Sequence, residues 1–432
     1  ISMRGEKGMA TNPAVEAVAS STINWMVAGL FIVGQNAGAG IVALPTALNQ
    51  TGFVIGIVLL AVVTVVTALT SSLLGRCWCM LLEAWPDYKE QHTRRPYAEI
   101  GARAYGPKMV HIVNTAVYIT QFGGSVVYTL ISSKNIQNIF KAFFGVDIPY
   151  CVIIFALAIF ILPVILLKSP KDFWWAVVTA LVTTTVAVTL MVIGYSMDFA
   201  ECQATHRFPP FRFGNFFLGF GTLLFSFGGH ATFPTIQHDM RKPADFTKST
   251  LLAFTITIGL YAPTAIGGVL AYGDSVRDEI MSSIQSTAIQ QLINLLITVH
   301  LILALTIMTN PLNQAVEDII DIPHEFCWQR VAVRASVLFV IAFVAASVPS
   351  FGPLLNLVGG SSQALTAVIL PCLFFLSISA QVKNVENVKA ASTDSTKAGF
   401  RQLIRNNSTL SLVVCSAVIA FGVVGGIAAT VS

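Results

Sequence analysis

Apolar runs of about twenty residues, separated by short polar stretches, recur along the whole of this chain. They fall near 22–48, 52–75, 109–133, 149–167, 173–197, 214–240, 249–272, 286–309, 332–349, 351–380 and 409–430. A helix needs about 20 apolar residues to cross a bilayer's hydrocarbon core, so the pattern predicts eleven spans and an all-α polytopic membrane protein. The ninth and tenth runs are divided by Val348-Pro349-Ser350-Phe351-Gly352-Pro353, which reads as a tight turn. Residues 1–21 read as a cytoplasmic N-terminal segment, and residues 22–432 as a single transmembrane domain with no room for a soluble one.

Two of the runs are interrupted in matching places. The first contains Gln35-Asn36-Ala37-Gly38-Ala39-Gly40, with Pro45 five residues after Gly40; the second contains Phe227-Gly228-Gly229-His230, with Pro234 five residues after Gly229. Glycine pairs weaken a helix interior and let backbone approach a bound molecule. Taken singly, Gly38, Gly40, Gly228 and Gly229 also suit close helix packing. Breaks at 35–40 in span one and 227–230 in span six, however, are what two inverted five-helix repeats plus an eleventh helix require, and paired breaks of this kind mark a transporter's substrate site. A helix that stops mid-membrane leaves N–H groups bare at one end and C=O groups at the other. Two such ends suit the carboxylate and ammonium of an amino acid.

Composition strengthens the membrane reading: 55% of the 432 residues are hydrophobic, 11% are charged, and the mean hydropathy is +0.73. The formal charge of +4 does not imply a nucleic-acid partner, because the basic residues lie in short loops. With the N-terminus inside, only Lys134, Lys141, Arg207, Arg212 and Arg277 of the 25 Lys and Arg fall on the far side, so the positive-inside rule gives N-in and C-out. No cleavable signal peptide is expected, since Met9–Thr22 holds no continuous apolar run. The seven cysteines show no metal spacing, and neither a metal nor a cofactor is expected. Cys151 and Cys202 both fall at the non-cytoplasmic face, where a disulfide would persist.

The broken segments also carry a resemblance. Gly34-Gln35-Asn36-Ala37-Gly38-Ala39-Gly40-Ile41-Val42-Ala43-Leu44-Pro45 resembles the opening motif of the amino acid/auxin permease family. Val126-Val127-Tyr128 with Asn135-Ile136-Gln137, and Phe225-Ser226-Phe227-Gly228-Gly229-His230-Ala231-Thr232-Phe233-Pro234, are similar to that family too. The last stretch, running into Asp239-Met240-Arg241-Lys242-Pro243, looks closest to its vacuolar and vesicular branch. The resemblance implies the leucine-transporter fold and secondary active transport of amino acids. It places the substrate at Asn36, Ala37, Gly38, Ala39 and Gly40 and at Phe227, Gly228 and Gly229, with Tyr118, Gln121 and Phe122 of span three lining it. A vacuolar, lysosomal or vesicular membrane is expected ahead of the plasma membrane.

A secondary transporter needs a driving ion, and proton coupling calls for a titratable group at depth. None of the apolar cores contains Asp or Glu, and Arg334 sits near a span end where it can snorkel. The candidates are His230 in the second break and His300 midway along span eight, each able to change charge near neutral pH. Protons are favoured over sodium, for which Thr298 and Thr306 are available but surrounded by apolar side chains. The walls look neutral and partly aromatic, which suits an uncharged substrate side chain. A sensor that binds an amino acid with little transport is the alternative of another class. An enzyme is not expected, since a buried histidine alone does not make an active site and would leave the paired breaks unexplained.

Overall fold

The computed structural model describes residues 23–85, 87–90, 93, 95–166, 174–202, 207–323, 327–348, 350–391 and 400–432. The N-terminal segment 1–21 and the loop residues His92, His206 and His324 lie outside them. Among the described residues the structure is helical, with one isolated β-bridge between Ile23 and Met240.

The first run is two helices, α1 (Trp25–Asn36) and α2 (Gly40–Thr51), bent by 59° at the break between them. Asn24 caps α1 by accepting from the Val27 N–H at 2.9 Å. Gly52, at a φ of +80° that favours glycine, turns the chain directly into α3 (Phe53–Ala84). A short amphipathic helix α4 (Pro96–Tyr105) precedes α5 (Lys108–Phe144), α6 (Tyr150–Ile165) and α7 (Trp174–Cys202). The second half opens with another broken span, α8 (Phe213–Ser226) and α9 (Phe233–His238), joined by a 3₁₀ turn at Gly229–Ala231. Then come α10 (Phe246–Tyr272), α11 (Thr287–Ile319), α12 (Trp328–Ser347) and α13 (Gly352–Val358). A π-helical stretch, Gly359–Ile369, carries α13 into α14 (Leu370–Ala391), and α15 (Phe400–Asn406) and α16 (Thr409–Val431) complete the chain.

These helices follow the eleven apolar runs. Among the described residues nine spans are long and apolar enough to cross a membrane when the bent α1–α2 pair counts as one. Of the other two, α6 is apolar but only 16 residues long, and α5 is long but buries a polar face that includes Thr120, Gln121, Ser125, Thr129, Ser132 and Asn135. Helices pack across the two halves as the repeat predicts: α2 on α8, α3 on α10, α5 on α11. The two breaks therefore meet at the centre of the bundle.

Two expectations are corrected. Cys151 and Cys202 are not joined by a disulfide. Cys151 opens α6 and faces the Ala346 carbonyl at 3.9 Å, whereas Cys202 ends α7; α6 packs on α5, α11 and α12, while α7 packs on α1, α10 and α11. Cys151 thus turns its sulfur to α12 and not to α7. Arg334 does not snorkel but is wholly buried, because α11 runs ten residues past the end expected for span eight and brings Glu317 to it. Arg334 Nε donates to Glu317 Oε1 at 2.6 Å, and Arg330 Nε donates to the same oxygen at 3.2 Å.

Candidate functional site

The C-terminal ends of α1 and α8 converge on one side chain. The Tyr261 hydroxyl of α10 lies 2.5 Å from the Asn36 carbonyl oxygen and 2.6 Å from that of Ser226, the last residues of the two half-helices. Across the same gap Asn36 Oδ1 accepts from the Gly229 N–H at 3.2 Å, so a residue of the first break caps the second. This is an economical solution for backbone groups that neither helix satisfies, since an unpaired buried N–H or C=O costs about 1–3 kcal/mol.

The glycines allow the approach. A Cβ on Gly40 would stand 2.6 Å from Ser226 Cα, and one on Gly229 would stand 2.8 Å from Asn36 Oδ1. A Cβ on Gly38 would strike the Tyr128 hydroxyl, with the ring's Cζ at 2.8 Å. That hydroxyl reaches from α5 into the first break and also meets the backbone of Ala39, at the N-terminal end of α2. A helix N-terminus with a phenol beside it is suited to an anion, and the converging carbonyl ends of α1 and α8 to a cation. The aromatic wall is Phe227, stacked on Phe254 and edge-on to Tyr261. Three buried polar atoms around the breaks have no partner: Asn36 Nδ2, Gln363 Nε2 and His230 Nδ1. Gln363 comes from the π-helical stretch and lies beside Gly228.

His230 is fully buried, its Nε2 at 3.0 Å from the Thr67 carbonyl oxygen and 3.1 Å from Thr70 Oγ1 of α3. A carbonyl only accepts, which assigns the proton of the neutral ring to Nε2 and leaves Nδ1 bare within reach of the Phe227 carbonyl. His300 repeats the arrangement from α11. Its Nδ1 is 2.9 Å from the Ala180 carbonyl oxygen and 2.7 Å from Thr184 Oγ1 of α7, and its Nε2 has no partner. Each histidine is thus pinned through one nitrogen to a neighbouring helix and unpartnered at the other.

Of the expected site residues, the structure brings Asn36 against Gly229 and Gly40 against Ser226, next to Phe227, while Gly38 meets Tyr128 and Gly228 meets Gln363. On α5 the side chain reaching the break is Tyr128. Tyr118 is ten residues away, about 15 Å along the helix, in the electrostatic range of Arg95 and Asp318. Gln121 is buried, and Phe122 is half-buried against the core. Sequence reasoning missed Tyr128, Tyr261 and Gln363. Tyr128 had a signal, since it closes the Val126-Val127-Tyr128 motif; Tyr261 and Gln363 had none.

Beyond the breaks, at the α2–α3 turn end of the bundle, a cavity of about 260 Å³ is lined by residues including Thr46, Gln50, Thr222, Asp278 and Phe351. A strap, residues 273–286, closes over it. Thr46 Oγ1 donates to the Arg277 carbonyl at 2.8 Å, and Asn49 Nδ2 donates to that of Gly273. Within the strap Glu279 is 6% exposed, and burial pushes its carboxyl up to about 7, with Lys134 opposing and Asp278 adding to the rise. The opposite end is held by the Arg95–Asp318 ion pair and by Glu317 with its two arginines. Among the described residues no group of three or more His, Cys, Asp or Glu is placed to hold a metal ion.

Comparison with known proteins agrees with this architecture. The chain is similar to amino acid transporter AVT1H of Arabidopsis thaliana, 27% identical over 83% of each chain, and to lysine histidine transporter-like 4 of the same plant, 24% identical over 83% of this chain and 81% of that one. Its fold is similar to that of Mhp1, a nucleobase-cation-symport-1 family transporter solved in a closed conformation with bromovinylhydantoin bound, with a TM-score of 0.56 at 11% identity over 96% of this chain and 92% of that one. The relatives and the fold are those of transporters and not of enzymes. Residues 21–393 match the family described as transmembrane amino acid transporter protein, and the chain belongs to that family of integral, multi-pass membrane transporters.

Proposed function

We propose that this protein moves neutral amino acids across the membrane by alternating access, driven by a proton gradient. The observation that carries the reading is the meeting of the two breaks, which sets carbonyl ends and an N-terminal end a few ångströms apart in a closed, partly aromatic space. The substrate ammonium goes to the Asn36 and Ser226 carbonyl ends, and its carboxylate to the α2 N-terminus beside Tyr128. Each helix end contributes about 0.3–2 kcal/mol toward a matching charge. Phe227 and the lack of a charged side chain at the breaks favour an uncharged substrate side chain.

Proton coupling is supported by the two histidines. A proton taken up on His230 Nδ1 gives it a donor facing the Phe227 carbonyl, inside the second break, and so links protonation to the conformation of the binding site. His300 offers its bare Nε2 in the same way between α11 and α7. Sodium remains the rival: Thr306 donates to the Leu303 carbonyl at 2.7 Å, and Thr298 Oγ1 is buried without a partner. The basic loops put the N-terminus in the cytoplasm, so the strap faces the other side. Together with the motifs of the second break, this supports a vacuolar, lysosomal or vesicular membrane with the strap toward an acidic lumen.

The test is uptake of labelled amino acids by the purified protein in liposomes under a proton gradient, a sodium gradient and neither. Proton-driven accumulation is expected. Sodium-driven accumulation replaces the coupling ion, and binding without flux under any gradient makes the protein a sensor.

A further inference from the structure

π-Helices are rare, mostly single turns, and frequent at functional sites, whereas the stretch Gly359–Ile369 runs for eleven residues. Close packing holds it on two sides: a Cβ on Gly359 would stand 2.8 Å from the Gly221 carbonyl carbon of α8, and one on Gly360 2.7 Å from Ala429 Cβ of α16. The Tyr97 hydroxyl of α4 ties it further by donating to the Thr366 carbonyl. Clamped in this way, the stretch sets Gln363 on the second break, where a Cβ on Gly228 would meet Gln363 Cδ and Nε2, each at 2.9 Å.

Gln363 is 1% exposed and Asn36 3%, and each carries a side-chain NH2 without an acceptor among the described residues. The orientation of Asn36 is fixed, since its Oδ1 takes the Gly229 N–H at 3.2 Å. Two bare amide donors therefore stand beside the glycine pair Gly228–Gly229, one from the π-helical stretch and one from α1. A buried donor without an acceptor is costly, and a site built around one discriminates between ligands that satisfy it and ligands that do not.

We propose that Gln363 is the residue that reads the substrate side chain, and that with Asn36 Nδ2 it selects a carboxamide. The inference rests on the amino acid reading given above. The ends of the half-helices take the amine and carboxylate common to every amino acid, so discrimination falls to side chains at the breaks. A carboxamide brings an acceptor for the bare NH2 groups and an NH2 of its own for the Gln363 oxygen, and it pairs with Gln363 whichever way that amide is turned. An aliphatic or thioether side chain of the same length satisfies neither donor. A carboxylate offers acceptors but no donor, and it would bring an unpaired charge into a buried space between neutral amides, which is unfavourable. A ligand without the match should bind about tenfold to a hundredfold more weakly.

The test measures binding of glutamine, asparagine, methionine, leucine and glutamate to the detergent-purified full chain, for wild type and Gln363→Leu. Wild type is expected to bind glutamine or asparagine about tenfold or more tighter than methionine or leucine, with glutamate weaker than its amide. In Gln363→Leu the carboxamide ligands lose affinity while the apolar ones hold or gain, so the ratio should fall by about tenfold. A uniform loss for every ligand overturns the proposal, since Gln363 would then serve the fold or the shared amine and carboxylate. Wild type that binds amino acids but ranks methionine or leucine level with both carboxamides overturns it too, and leaves the transport reading intact. Glutamate binding tighter than glutamine makes the donor pair an anion site and also overturns it. Wild type that binds no amino acid contradicts the transport reading, and the proposal with it. If Gln363→Leu melts early, Gln363→Met, unbranched like glutamine, carries the same comparison, and the wild-type ranking stands without either variant.

Discussion

The two breaks look alike in sequence and differ in build. The first is a bare bend: three residues, Ala37 to Ala39, join helices 59° apart, no titratable side chain lies among them, and Tyr128 presses on the gap. The second is filled by a 3₁₀ turn that contains His230, whose ring is anchored to α3 through Thr67 and Thr70. Bare backbone suits the binding of a charged ligand. A pinned histidine with one open nitrogen suits a response to protons. On the function proposed above, the difference would divide labour between the halves, recognition centring on the first break and coupling on the second, while Tyr261 and Asn36 tie the two breaks together.

The largest effect is expected from closing either gap. Gly38→Val sets a branched side chain into the Tyr128 hydroxyl, and Gly229→Leu sets one into Asn36 and Phe233; each should abolish uptake in proteoliposomes while purified yield survives. Normal uptake in either variant would remove that break from the site. His230→Gln keeps a polar group of similar size and loses the titration, so proton-driven accumulation should fall about tenfold or more while substrate exchange continues. Loss of both together would erase the distinction between the breaks. Tyr128→Phe removes one donor at the first break, and its expected cost of about 1–2 kcal/mol appears as a KM roughly tenfold higher with the pH profile unchanged. A changed pH profile there would place coupling in the first break as well.

The smallest effect belongs to the strap. Glu279 is buried when the strap is closed, with its carboxyl at about 7 against an ordinary value of 4.5, and an opened strap returns it to water. The closed form holds the proton more tightly. Protonation therefore favours closure at acidic pH, and that advantage is lost as pH rises from 4.5 through about 7. The other charges facing this region include Lys134, Asp278, Arg277, Asp274, which accepts from the Arg207 backbone N–H, and Asp198, which accepts from the Gln285 N–H. A cysteine at Thr46 should label with a water-soluble maleimide faster above neutral pH than below it, and Glu279→Gln should flatten that dependence without touching exchange at the breaks.

Much of this fold was legible because hydrocarbon imposes it. A span must be apolar for its full length and must satisfy its own backbone, so the runs mark the helices, and the glycines with their following prolines mark where that rule is broken. Side-chain roles depended on helix phase and length, which apolar runs do not reveal. Tyr118 and Tyr128 read equally well on paper, and only the packing of α5 brings the second to Gly38. Arg334 looked like a snorkelling side chain because Glu317 lay beyond the expected end of span eight. Glu279 lies outside the apolar runs, and the strap's fold over α2 buries it. Tyr261 could not be singled out at all, since nothing in its run distinguishes a tyrosine that bridges two carbonyls from one that only packs.

The most direct test of the account is a structure of the protein determined by electron cryomicroscopy with its tightest-binding amino acid. The ligand density is expected between the two breaks, its amine against the Asn36 and Ser226 carbonyls and its carboxylate at Gly38–Gly40 beside Tyr128. Density confined to the cavity beneath the strap, with the breaks still closed on Tyr261, would contradict it.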